Sequence, residues 1–94
     1  MKTYSFTYIN QYGNGEVVET KEFATDNEAQ EYGKSLLNLC TQDIPQDRLR
    51  GDWQNPEMVI DKWENGYPSE DTFGTEDEEE PIATFGFTAE IFAI

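Results

Sequence analysis

The alternation at the N-terminus constrains this chain most. Tyr4, Phe6 and Tyr8 fall at every second position, between Thr3, Ser5, Thr7 and Ile9. That is the period of a β-strand with one buried face. Tyr12-Gly13-Asn14-Gly15 then supplies residues that accept positive φ, so the chain can reverse there. Glu16 to Phe23 returns as a second strand. Strict alternation puts Val17, Glu19, Lys21 and Phe23 on one face, and Glu16, Val18, Thr20 and Glu22 on the other. The charge on both faces suits a place near the sheet edge.

A helix is predicted next. Thr25 and Glu28 form a T-x-x-E capping box, with Asp26 and Asn27 in the first turn. Ala29, Tyr32 or Gly33, Leu36, Leu37 and Cys40 recur at helical spacing and should face the sheet. Gly33 costs about 1 kcal/mol against alanine in a helix interior, so its expected use is close packing on the sheet. Ala29, Leu36 and Cys40 are expected to be buried. Leu39 either joins the core or covers the helix exit. Residues 41–54 read as a loop.

Residues 56–65 read two ways. Asn55-Pro56 resembles an N-cap followed by proline at the first helical position, with Gly66 just past the end. Met58 to Trp63 also reads as a strand leading into an Asn65-Gly66 turn, and Val59, Ile60 and Trp63 tilt the reading that way. Residues 67–80 read as a polar loop. Ile82 to Ile94 is the most strand-like run, with Phe85, Phe87, Ala89 and Ile91 on one face. The expectation is an α+β fold: one main helix on a small antiparallel sheet made of the N-terminal hairpin, the C-terminal strand and a middle strand if 56–65 is extended. At 94 residues, 1–94 is expected to be a single domain.

Composition narrows function by exclusion. There are 20 acidic and 6 basic residues, no histidine and one cysteine, for a formal charge of −14. Without histidine there is no Ser-His-Asp triad and no histidine-ligated zinc. One cysteine allows no internal disulfide and fits a reducing cytoplasm. No apolar run reaches the roughly 20 residues of a membrane helix, and no signal peptide is recognisable. Direct binding to nucleic acid needs a basic surface, which this chain lacks.

The acids are unevenly placed. Residues 51–94 hold 12 acids and only Lys62, and Glu64–Glu80 holds 8 acids and no base. The run Glu76-Asp77-Glu78-Glu79-Glu80 lacks the staggered ligands and central glycine of a calcium loop, so no metal or other cofactor is expected. With 20 acids, close carboxylate pairs arise by number alone, and so short a chain rarely encloses a catalytic cleft. No enzyme activity is expected. Cys40, near a helix C-terminus where the dipole disfavours a thiolate, reads as a small buried hydrophobe. The Tyr4-Phe6-Tyr8 ladder lacks the basic groove of a base-stacking platform and reads as core. Trp53 and Trp63, within the acidic half, are candidate anchors on a protein-binding surface if they do not simply close the core.

Strand carboxylates at i and i+2 lie about 7 Å apart, twice the rise per residue. Phosphates along one DNA strand are spaced at a similar interval, about 7 Å. Acids on a small rigid fold can therefore present the field that a DNA-binding groove recognises. A charge of −14 also exceeds the magnitude of about 2–8 that serves solubility in a small domain. The expected function is binding to a basic, nucleic-acid-binding protein surface. Glu70, Asp71, Glu76, Asp77, Glu78, Glu79 and Glu80 form the expected patch, with Trp53 and Trp63 as anchors. The chain is expected to be a monomer or weak homodimer. The alternative is an accessory or structural interaction protein, such as a virion or regulatory subunit, whose acidity is incidental.

In its compact Thr3–Phe23 hairpin, capped Thr25–Cys40 helix and acid-rich Glu64–Glu80 stretch, the chain resembles small inhibitors that phages and mobile elements use against host defence. Anti-CRISPR proteins and anti-restriction DNA mimics are examples. The resemblance is one of size, charge and simplicity. It implies a stoichiometric inhibitor of a Cas effector or restriction enzyme, acting in the cytoplasm of the host cell.

Overall fold

A computed structural model describes residues 1–44, 53–68 and 79–91. The elements are β1 (Lys2–Ile9), β2 (Gly15–Phe23), α1 (Asp26–Thr41), β3 (Glu57–Trp63) and β4 (Ala83–Thr88). The strands form an antiparallel sheet in the order β2-β1-β3-β4, and α1 packs on one face. This is the expected α+β fold, and the ambiguous 56–65 segment supplies its inner strand β3.

The Asn55-Pro56 signal belongs to a strand entrance. Proline has no N–H to give a ladder, so it is tolerated at the first residue of a strand. The Pro56 carbonyl accepts from the Ala89 N–H at 2.8 Å and extends the ladder with β4.

Register assigns the two faces. Tyr4 lies opposite Lys62, Phe6 opposite Ile60, and Tyr8 opposite Met58. Ile60 in turn faces Phe85, and Met58 faces Phe87. Opposed residues share a face, so these side chains form the layer under α1. Tyr4, Phe6, Met58 and Ile60 are buried there. Phe6 and Tyr32 meet edge to face at 5.3 Å, and Phe23 joins them at 6.1 Å and 5.3 Å.

The hairpin turn forms where it was expected. Asn10 Oδ1 accepts from the Tyr12 and Asn14 N–H groups, both at 3.0 Å, and Gly13 takes φ +88°. The β2 faces differ from strict alternation. Phe6 pairs with Glu19 but Thr7 pairs with Val17, so Val18 is an extra, bulged residue. The bulge turns Val17 to the far face and brings Glu16, opposite Tyr8, to the face of Glu19.

Thr25 caps α1 as expected. Its Oγ1 accepts from the Glu28 N–H and donates to Glu28 Oε1, both at 3.2 Å. Ala29, Gly33, Leu37 and Thr41 are the buried positions of the helix. The core line therefore runs through Leu37 rather than Leu36. Leu36 and Cys40, expected to be buried, are half-buried, because they flank the 29-33-37 row. Leu39 is 61% exposed and stays out of the core. Gly33 has the role expected of it: a Cβ there would stand 2.5 Å from Ile60 Cδ1 and 3.2 Å from Ile60 Cγ1.

The far face of the sheet is polar. Thr3, Ser5 and Thr7 of β1 lie there beside Val59, Asp61 and Trp63 of β3, with Thr84, Gly86 and Thr88 on β4. Trp63 covers Ser5, and its Nε1 donates to Ser5 Oγ at 2.9 Å. Thr84 donates to Asp61 Oδ1 across the strands at 2.8 Å. Among the described residues no helix is long and apolar enough to cross a membrane.

Candidate partner-binding surface

Of the expected patch, Glu70, Asp71, Glu76, Asp77 and Glu78 lie outside the described residues. Glu79 and Glu80 are exposed just before β4. Asn65 Nδ2 donates to Glu79 Oε1 at 3.3 Å and ties that carboxylate to the chain leaving β3. Glu64 stands at the same end of the sheet, where Lys2 pairs with it at 2.7 Å and lowers its pKa by hydrogen bonding.

The two tryptophans are not brought together. Trp63 is a buried residue of the far face at the Thr3 end of β1, with Tyr67 edge-on at 5.7 Å. Trp53 is half-buried at the hairpin-turn end, where it meets Tyr12 at 5.7 Å. The adjacent Gln54 N–H donates to the Gln11 carbonyl at 2.9 Å. The tryptophans thus mark opposite ends of the sheet, and Trp63 acts as core.

The described acids collect in places that a linear charge count does not single out. On β2, the bulge puts Glu16 and Glu19 on one face, opposite residues two apart on β1. Their backbone positions are therefore separated by about 7 Å along the strand direction. Tyr32 donates its hydroxyl to Glu19 at 3.1 Å, which fixes that carboxylate against α1. Burial and Glu19 together raise the Tyr32 pKa. Glu28 and Glu31 follow on the helix and line a shallow depression with Phe23, Asn27, Tyr32 and Ser35. Glu19, Glu28 and Glu31 thus gather around Tyr32 where β2 meets α1, and Glu16 extends this acidic rim along β2 toward the hairpin turn and Cys40.

Each described lysine already has a contact. Lys2 pairs with Glu64, Lys34 with Glu31 at 3.7 Å, and Lys62 with Asp26 at 2.8 Å. Lys21 lies 4.6 Å from the Tyr32 ring centroid. Asp26 also accepts from the Tyr4 hydroxyl at 2.6 Å. The Lys62 and Tyr4 hydrogen bonds hold the Asp26 pKa below the usual carboxylate range, and Asp26 raises that of Lys62. This trio joins helix start to sheet.

Other acids face elsewhere. Glu57 and Asp61 lie on the far face of β3, and Glu22, opposite Thr3, lies on the far face of β2. Among the described residues, no group of three or more acidic or cysteine side chains is close enough to hold a metal ion. Cys40 is half-buried, and burial followed by the nearby Glu16 raises its thiol pKa. That is the opposite of what a reactive thiolate requires.

Compared with protein-family models, curated proteins and solved structures, the chain matches none.

Proposed function

We propose that this chain is a non-enzymatic acidic binding protein that occupies a basic, nucleic-acid-binding surface of a partner protein and so inhibits it. A Cas effector or a restriction enzyme is the kind of partner intended. One observation carries the reading: the Glu16–Glu19–Glu28–Glu31 rim holds carboxylates on a strand and a capped helix, with Lys34 as its one ion-pairing base among the described residues. A groove built for phosphates meets acids whose strand positions, at Glu16 and Glu19, are about 7 Å apart, and the surrounding field accelerates the encounter. The Glu76–Glu80 run adds charge beyond this rim.

A second reading has its own support. Glu22, Glu57 and Asp61 lie on the far face, so the described acids do not form one continuous surface. That distribution suits an accessory or structural interaction protein whose acidity is incidental.

Displacement distinguishes the two. A fluorescently labelled DNA duplex is bound to a restriction endonuclease, or to a Cas effector loaded with guide RNA, and this protein is titrated in. The inhibitor reading expects stoichiometric release of the duplex in low salt and weaker release in high salt, because exposed charge pairs are screened within about 10 Å at 0.1 M. Retention of the duplex across a panel of such enzymes would favour the accessory role.

A further inference from the structure

The two edges of the sheet are built differently. β2 carries Glu16, Glu19, Lys21 and Glu22 together with the Val18 bulge, the usual protection against edge-to-edge pairing. β4, the opposite edge, has no charged residue, no proline and no bulge against β3. Its sequence with one flanking residue is Ala83-Thr84-Phe85-Gly86-Phe87-Thr88-Ala89, which reads the same in both directions about Gly86.

The free hydrogen-bonding groups of this edge can be placed. The Ala89–Pro56 bond fixes the phase of the β3–β4 ladder. Bonded pairs alternate in an antiparallel ladder, so Phe87 and Phe85 exchange bonds with Met58 and Ile60. The N–H and C=O groups of Thr84, Gly86 and Thr88 therefore point away from β3. Among the described residues no strand pairs with that side. Gly86 has no internal reason to lack a side chain: its φ is not positive, and a Cβ there would meet nothing within 4 Å. Glycine inside a strand often marks close approach by another backbone.

We infer that β4 is a self-association edge, where a second copy of this chain adds antiparallel about a two-fold axis at Gly86. The occupant follows from the palindrome. With Gly86 opposite its own copy, Thr84 meets Thr88, Phe85 meets Phe87, and Ala83 meets Ala89, so every pair is matched in size and neutral. The outward groups of Thr84, Gly86 and Thr88 are those the pairing requires, and each opposed pair exchanges both bonds. The phenylalanine pairs lie on the helix side and the threonine pairs on the far face, both favourable cross-strand combinations. Glu90 lies beyond the paired span, where the Ile91 N–H bonds to the Ala89 carbonyl and the chain turns, so within that span no described carboxylate faces another. A single pair of edge strands covers little area, and two chains of −14 repel each other. The dimer is therefore weak, and salt strengthens it, the reverse of the salt effect on a basic partner.

Sedimentation velocity on the whole chain, from micromolar to millimolar concentration in low and high salt, tests this. The wild type should dimerise, more tightly in high salt. Gly86→Pro removes an outward N–H without touching the ladder to β3 and should weaken the dimer roughly tenfold or more. Gly86→Glu, which sets like charges opposite each other, should do the same, whereas Thr20→Glu on the other edge should change little. Circular dichroism establishes that the variants fold. Should they not fold, hydrogen exchange on the wild type decides: the Thr84, Gly86 and Thr88 amides must gain protection as concentration rises. A chain that stays monomeric at millimolar concentration in high salt would overturn the inference. So would a dimer indifferent to both Gly86 variants, or one that leaves those amides unprotected.

Discussion

The layer between helix and sheet and the acid-bearing rim obey different rules. In the layer, Phe6, Met58 and Ile60 are completely buried, and the glycine at position 33 is fitted to an isoleucine. At the rim, Glu16, Glu28 and Glu31 stand exposed, and β2 carries the bulge at Val18. Stability resides in the first region and charge in the second. Tyr32 is where they touch: its ring packs on Phe6 and its hydroxyl donates to Glu19. Substitutions should therefore separate folding from binding.

The separation is tested hardest in the layer. Phe6→Ala should cost about 3–5 kcal/mol in urea denaturation, the usual range for emptying a buried phenylalanine site. A loss below about 1 kcal/mol would show that the helix–sheet layer does not hold the fold. Gly33→Ala comes next. Alanine favours the helix by about 1 kcal/mol, but its methyl group collides with Ile60, and overpacking costs about 1–3 kcal/mol. We expect net destabilisation, partly rescued when Ile60→Val removes the obstructing Cδ1. Additive effects in that double-mutant cycle would contradict the contact.

Thr25→Ala should cost about 1 kcal/mol, the typical value of an N-cap. Asp26 sharpens the comparison through pH. Its carboxyl pKa is lowered on folding, so its contribution is present above the unfolded value of about 3.9 and is lost as pH falls through the folded value. Lys62 is raised, so its contribution is present below about 10.4 and is lost as pH rises through the folded value. In Asp26→Asn the acid limb of the stability profile should flatten. An unchanged limb would place the acid sensitivity elsewhere. The smallest effect is expected at the rim itself. Glu16→Lys should shift stability by no more than about 0.5 kcal/mol, as surface substitutions generally do.

The sequence disclosed the layer better than the rim, for physical reasons. Tyr4-Phe6-Tyr8 and Thr25-x-x-Glu28 are local patterns whose spacing is set by strand and helix geometry, and both elements form as read. The helix presents the expected face, but Leu36 and Cys40 lie less deep than expected: Leu36 and Leu37 are adjacent, and only the direction of the 29-33-37 row decides which is fully inside. Asn55-Pro56 gives the same local signal at a helix start and at a strand start. The Val18 bulge breaks the period that face assignment assumes, so Glu16 beside Glu19 could not be read from alternation. The Lys2–Glu64 and Lys62–Asp26 pairs join residues far apart in sequence, and no local pattern announces them. The C-terminal acid run was conspicuous as composition, but five of its seven expected contact residues fall outside the described residues.

The central claim is that these acids steer a basic partner, and the association rate tests it most directly. Stopped-flow binding to the endonuclease or effector used for displacement, at two salt concentrations, is compared for three proteins: the wild type, a rim variant with Glu16, Glu19, Glu28 and Glu31 changed to glutamine, and a run variant with Glu78, Glu79 and Glu80 changed to lysine. Steered association predicts a fast on-rate that falls steeply with salt, and a slower rate with a shallower salt dependence in both variants. On-rates that ignore salt and are the same in all three proteins would contradict it.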